Sequence, residues 1–193
     1  MSIPRRSIHT LAKSVWDQDH LKNRFDRQIW ASAEAIDCVA APEPLADATG
    51  VCPARIHADF NRMTHGRAPH FPETTSALVN IRAELDRLGF VATPDNRYVF
   101  SEELNICGEM DALGLVDGHM PTIVELKVVR WLPQIVRAAD TAQLVMYELA
   151  RTGCTGRTML VAVYVQPTGQ FRAATRIVFD PEKLEPLVRE LAA

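Results

Sequence analysis

Within GEMDALGLVDGHMPTIVELK, from Gly108 to Lys127, three charged side chains stand in an apolar setting: Asp111, Glu125 and Lys127. Asp111 precedes Glu125 by fourteen residues, and Lys127 follows Glu125 by two. Aspartate, glutamate and lysine are depleted from buried sheet, so a strand that carries them has a use for them. Alternate side chains of a strand share a face. In TIVELKVV, Ile123, Glu125 and Lys127 therefore point one way, and Val124, Leu126 and Val128 the other. The second set packs into a core, and the first places a carboxylate and an ammonium side by side on an open face. Asp111 reaches them from the partner strand.

Two carboxylates at close quarters repel each other. A hard divalent cation, Mg²⁺ or Mn²⁺, resolves the repulsion through oxygen ligands, and the main-chain carbonyl of Leu126 can add another. Such an ion polarises a phosphodiester and activates water. Lys127 can then orient or help deprotonate the water, or neutralise charge on a phosphorane-like transition state. The plain alternative is a cross-strand salt bridge between Asp111 and Lys127 on a solvated face.

The elements that must position these residues can be read from the chain. Asp117-Gly118 marks a hairpin turn between a strand over 104–115 and a second over TIVELKVV. An upstream amphipathic helix runs from Thr74 to Leu88, with Thr74 or Thr75 as cap, Ala77, Leu78, Ile81, Leu85 and Leu88 as stripe, and Gly89 as stop. RYVF reads as a short strand. Helix follows over 138–151, strand over 158–166, a PTGQ turn, an antiparallel return over 171–179, and a last helix with Asp180 as cap and Pro181 at its first position. Residues 7 to 41 read as helical, 54 to 63 as a short helix, and HGRAPHFPE as a loop.

The pattern G-x-x-D followed by I-V-E-x-K, with SEELNICGEMDAL leading in, resembles the PD-(D/E)xK nuclease superfamily, in its RecB-like branch. The resemblance covers about Gly66 to Phe179. It implies an α/β, restriction-endonuclease-like core, a mixed central sheet flanked by helices. It also implies a Q-x-x-x-Y pair on the next helix, which AQLVMYELA supplies as Gln143 and Tyr147; four residues apart, they share one helical face. In that branch the pair helps position the metal site or the DNA. An upstream G-x-x-x-H, Gly66 to His70 here, implies a histidine ligand at His70, with His57 and His65 as competitors. Some relatives, the CRISPR adaptation nucleases among them, hold an iron–sulfur cluster on one early and three late cysteines. Of the four cysteines here only Cys154 lies in the last third, so no iron–sulfur cluster is expected.

The resemblance thus implies a metal-dependent deoxyribonuclease, an exonuclease or flap-processing enzyme in repair, recombination or mobile-element biology. The alternative is a catalytically inactive nuclease-fold module that binds DNA or docks a partner. The expected substrate is DNA, single-stranded or at duplex ends. With no G-x-x-x-x-G-K-[ST] in the chain, a helicase, recombinase or other partner would be separate. A helical N-terminal segment over 1–65 is expected to pack on a core over 66–193, one domain overall. Arg24, Arg27, Arg55, Arg62 and Arg67 can supply phosphate contacts.

Bulk properties bound the rest. The 193 residues suit one domain, 23% of them are charged, and the net charge of −3 does not grip long nucleic acid by itself. The start MSIPRRSIHTLAKSVW lacks the apolar run of a secretory leader, and the cysteines form no C-x-x-C pair. A cytoplasmic protein away from membranes, with reduced thiols, is expected.

Overall fold

A computed structural model describes residues 5–17, 52–93, 97–133, 136–151, 158–166, 171–173, 177–179 and 181–193, with positions 19, 23, 24, 39 and 40. The elements are, in order, β1 (Arg6–Ser7), α1 (Ile8–Trp16), β2 (Val39–Ala40), α2 (Pro53–Thr64), a 3-10 turn (Pro72–Thr74), α3 (Thr75–Arg87), β3 (Phe90–Ala92), β4 (Tyr98–Ser101), β5 (Ile106–Glu109), β6 (Ala112–Val116), β7 (Met120–Val128), α4 (Ala138–Ala150), β8 (Thr158–Val165), β9 (Phe171–Ala173), β10 (Ile177–Phe179) and α5 (Pro181–Ala192). Part of the expected 7–41 helix, Asp180 and the PTGQ turn lie outside the described residues, and positions 39–40 are strand rather than helix.

The fold is mixed α/β, with two mixed sheets flanked by helices, consistent with a restriction-endonuclease-like core. The larger sheet has the order β2-β9-β8-β7-β6-β3, with β10 also on β8, and the smaller has the order β1-β5-β4. β7 and β8 pair in parallel, joined through α4. A parallel pair covered on both faces reads as a continuous apolar run, and TMLVAVYV of β8 is buried at every position.

Two apolar layers fix the strand faces. Ile123 packs with Ile8, Leu11 and Val15 of α1, Leu144 of α4 and Val188 of α5. Val124 and Leu126 pack on the other side, with Ile56 and Phe60 of α2 and Leu78 and Ile81 of α3. The alternation expected for TIVELKVV thus holds. The face bearing Glu125 is not open, however. α1 and α4 cover it, and Glu125 is only 5% exposed.

The hairpin turn is also as expected. Asp117 and Gly118 have φ of 52° and 73°, the paired positive angles of a tight turn matched to strand twist. The strand expected over 104–115 is broken instead. β5 belongs to the smaller sheet and β6 to the larger, and the chain changes sheets at Met110-Asp111. Met110 donates its N–H to the carbonyl of Arg97, beyond the start of β4, and its side chain is buried. The hydrophobic pattern of ICGEMDALGL runs through this break, which is why it reads as one strand. The expected 171–179 return is likewise two short strands, both paired with β8.

Thr74 precedes α3, but its hydroxyl makes no cap. It donates instead to the buried Asp59 carboxylate at 2.6 Å. Asp59 also accepts the His70 and Phe71 amides at 2.6 and 2.8 Å. Burial opposes its charge, but these three hydrogen bonds and nearby Arg62 outweigh it, holding the carboxyl below its ordinary range. One carboxylate on α2 therefore ties residues 70, 71 and 74 to that helix. Among the described residues, no helix is long and apolar enough to cross a membrane.

Candidate active site

The sheet change places Asp111 at the head of β6, where its carboxylate turns toward β7. Asp111 Oδ2 accepts the Leu126 N–H at 2.8 Å, which fixes the carboxylate between Glu125 and Lys127 along that strand. Arg97 donates to the Asp111 carbonyl and pairs with Glu109 at 3.1 Å, clamping the junction from outside.

Lys127 Nζ lies 2.9 Å from Glu125 Oε1, the contact that alternation predicts for residues two apart. It also donates to Gln143 Oε1 at 2.6 Å. The amide of Gln143 donates in turn to Glu125 Oε1 at 2.6 Å and to the Tyr147 hydroxyl oxygen at 2.8 Å. Tyr147 completes the chain by donating to the Glu109 carbonyl at 2.8 Å. Gln143 is thus a hub: its carbonyl orients the ammonium while its amide orients the carboxylate. An Asp111–Lys127 salt bridge is not among the ion pairs of the described residues; Lys127 pairs with Glu125 instead, and lies 3.9 Å from Asp140.

Gly108 explains how Tyr147 reaches its place. A Cβ there would lie 2.8 Å from the Tyr147 ring and 3.2 Å from Ile8. What comes close to this glycine is a side chain of α4, and the missing methyl is the space it occupies.

The electrostatics are uneven. Burial, then the charge of Asp111, push the Glu125 carboxyl up to about 7, against the pull of Lys127. Its Oε2 is buried with no hydrogen-bond partner. An orphaned anionic oxygen beside a second carboxylate is costly unless a cation joins it. The donor set of Asp111, Glu125 Oε2 and the Leu126 carbonyl is all oxygen, which suits Mg²⁺ or Mn²⁺ and leaves further positions for water. Among the described residues no group of three or more His, Cys, Asp or Glu side chains is placed to hold a metal ion, so the donors here are two carboxylates and a main-chain carbonyl. An open site of two carboxylates is what such an ion needs when water and substrate complete its shell.

Of the three candidate histidines, His57 is the one that meets this set. From α2 its Nδ1 lies 3.5 Å from Asp111 Oδ1, and that contact, against the opposing effect of burial, holds the imidazole above its ordinary range. His57, Asp111, Glu125, Lys127, Gln143 and Tyr147 all line one cavity of about 360 Å³. His70 does not line it. Its amide is held by Asp59 and its exposed ring packs edge-on against Phe71, with centroids 4.8 Å apart. The Gly66-to-His70 spacing thus points to a loop residue whose ring lies against Phe71 and does not line this cavity. His65 bonds the Asn61 carbonyl on its own helix and lines a separate cavity.

Two residues at the site were not anticipated. Asp140 stands one turn before Gln143 on α4 and accepts a 2.7 Å hydrogen bond from Tyr164. Its signal was present, since residues 140, 143 and 147 follow helical spacing of three and four on one face. His9 lines the cavity from α1, and burial, then Lys127 and Lys13, lower its pKa; nothing in the spacing of IHTLAKSVW marks it. Of the arginines named from sequence, Arg24 pairs with Glu190, Arg55 with Glu73 and Arg62 with Asp59, while Arg27 lies outside the described residues.

No family model and no curated protein matches the chain. Among solved structures, an alkaline exonuclease (LHK-Exo) from Laribacter hongkongensis is similar, with a TM-score of 0.40 and 18% identity over 76% of this chain and 80% of that one.

Proposed function

We propose that the protein is a metal-dependent deoxyribonuclease of the RecB-like type, using Mg²⁺ or Mn²⁺ to hydrolyse phosphodiester bonds at DNA ends as an exonuclease or flap-processing enzyme. The observation that carries this reading is the buried Glu125 carboxylate. Its Oε1 is held by Lys127 and Gln143 while its Oε2, with no partner, is left for a cation beside Asp111.

In this reading Asp111, Glu125 and the Leu126 carbonyl would hold the ion, with His57, 3.5 Å from Asp111, taking the part that the resemblance implies for His70. When bound, the ion supplies Lewis acidity to the phosphate and a water of lowered pKa. The chain's own groups do the rest. Lys127, held by Gln143 and Glu125, sits where it can orient the attacking water or meet charge on the transition state. Tyr147 and Gln143 fix the rotamers of both charged groups, so little reorganisation is required during the reaction. The proposed setting is repair, recombination or mobile-element processing in the cytoplasm, with any helicase or recombinase a separate chain.

The test is cleavage of single-stranded, blunt, flapped and circular DNA with Mn²⁺. Lys127→Ala and Asp111→Ala should each lower the rate on the order of a hundredfold or more, with unchanged circular dichroism. Cleavage that persists at the wild-type rate in both variants refutes the assignment.

A further inference from the structure

The segment that leaves β7 presents an aromatic ring to which the fold gives no task. Trp131 is 71% exposed, more than any other large apolar side chain among the described residues. Single exposed apolar residues are ordinary, but this one stands on a pinned segment. Val129 donates its N–H to the Val165 carbonyl at 2.8 Å, and Gln166 donates to the Arg130 carbonyl at 2.6 Å. On the other side, Leu132 packs against the α1/α4 core. The indole is therefore held out to solvent between anchored neighbours.

Its chemical setting is specific. The Arg130 guanidinium lies over the ring, 5.5 Å from its centroid, and makes no ion pair with a carboxylate among the described residues. Lys13, Lys127 and Arg137, together with Asp17 and Asp140, line a cavity of about 460 Å³ that shares His9, Lys127 and Gln143 with the catalytic cavity. A flat π-face with a cation that is not ion-paired among the described residues, four residues along the chain from Lys127, fits a polyanion that carries exposed aromatic faces. Single-stranded nucleic acid is that ligand, because its bases offer free faces, whereas duplex bases are covered by their neighbours. The distance also fits. Trp131 is four residues beyond Lys127, and at about 3.3 Å per residue its Cα lies within about 13 Å. That is the reach of about four stacked nucleotides at 3.4 Å each.

We infer that Arg130 and Trp131 form a stacking platform for an unpaired base of single-stranded DNA, a few nucleotides from the phosphate held at Glu125 and Lys127. The inference rests on the nuclease reading. Stacking there fixes the register of the strand and gives the enzyme a preference for tailed or frayed ends over blunt duplex.

The test uses the full chain in EDTA, so that binding is read without cleavage. A fluorescein-labelled single-stranded oligonucleotide is titrated by anisotropy, and 2-aminopurine is placed at successive positions along it. The expected result is position-specific quenching, and a Kd raised on the order of tenfold in Trp131→Ala, with Trp131→Phe close to wild type. Blunt duplex should bind both variants equally, and Tm should be unchanged. Wild-type affinity and unchanged quenching in Trp131→Ala overturn the platform. So does an equal loss on blunt duplex. A wild-type protein that cuts DNA normally while these results fail loses only the platform; one that neither binds nor cuts any DNA loses the nuclease reading as well.

Discussion

Replacing Glu125 by glutamine should make the metal-free protein more stable above neutral pH while abolishing its cleavage. The carboxyl is pushed from 4.5 to about 7 in the folded chain, chiefly by burial. Below pH 4.5 it is protonated in both folded and unfolded states, and its ionisation costs the fold nothing. Between 4.5 and 7 the folded state keeps a proton that the unfolded state has lost, so stability falls as pH rises. Above about 7 the fold carries the full cost. A shift of 7 − 4.5 pKa units, at about 1.4 kcal/mol each, corresponds to about 3 kcal/mol. Glutamine keeps the shape and an oxygen for Lys127 and Gln143 but never ionises. Lys127 loses its charged partner at 2.9 Å yet keeps Gln143 at 2.6 Å and Asp140 at 3.9 Å, which trims the gain. Urea unfolding in EDTA should therefore show variant and wild type alike at pH 4.5, and the variant more stable by about 1–3 kcal/mol at pH 8. Added Mn²⁺ should stabilise the wild type and leave the variant unmoved. A difference that is flat across pH, or a variant less stable at pH 8, would mean that Glu125 is not strained by its burial.

Other perturbations read neighbouring parts of the site. His57→Ala should weaken Mn²⁺ binding on the order of tenfold by calorimetry, while His70→Ala leaves it unchanged; Mn²⁺ binding should also release protons, since His57 is held above its ordinary pKa. Asp59→Ala strands two amides and a hydroxyl, and should cost about 2–4 kcal/mol in chemical denaturation. Because the Asp59 pKa is lowered from 3.8, its contribution is present above that value and lost as pH falls below it, opposite in sign to Glu125. Gly108→Ala drives a methyl into the Tyr147 ring, and should lower Tm and cut kcat more than it changes KM for DNA.

Legibility from sequence followed the range of the interactions. The Asp117-Gly118 turn and the shared face of Glu125 and Lys127 are local, and backbone alternation alone specifies them. Gln143 and Tyr147 came from the Q-x-x-x-Y that the resemblance implies, with helical spacing adding only that they share a face; the same spacing puts Asp140 on that face. The break at Met110-Asp111 was not legible, because it depends on a hydrogen bond to Arg97, and the apolar pattern runs straight through it. Which histidine comes near Asp111 was not legible either. It depends on how α2 lies against β6 and β7, whereas a G-x-x-x-H spacing records only distance along the chain. The open face expected for Glu125 failed for a similar reason: α1, whose role sequence left unspecified, helps to cover it.

The change of sheet at Asp111 has a mechanical side. The residue is tied to β7 of one sheet through Leu126 and to Arg97, the residue just before β4 of the other. A cation drawn between Asp111 and Glu125 would act as a rivet across that seam. Amide exchange in β4 and β5, far along the chain from Glu125, should then slow when Mn²⁺ is added, and the smaller sheet would breathe in step with the filling of the site.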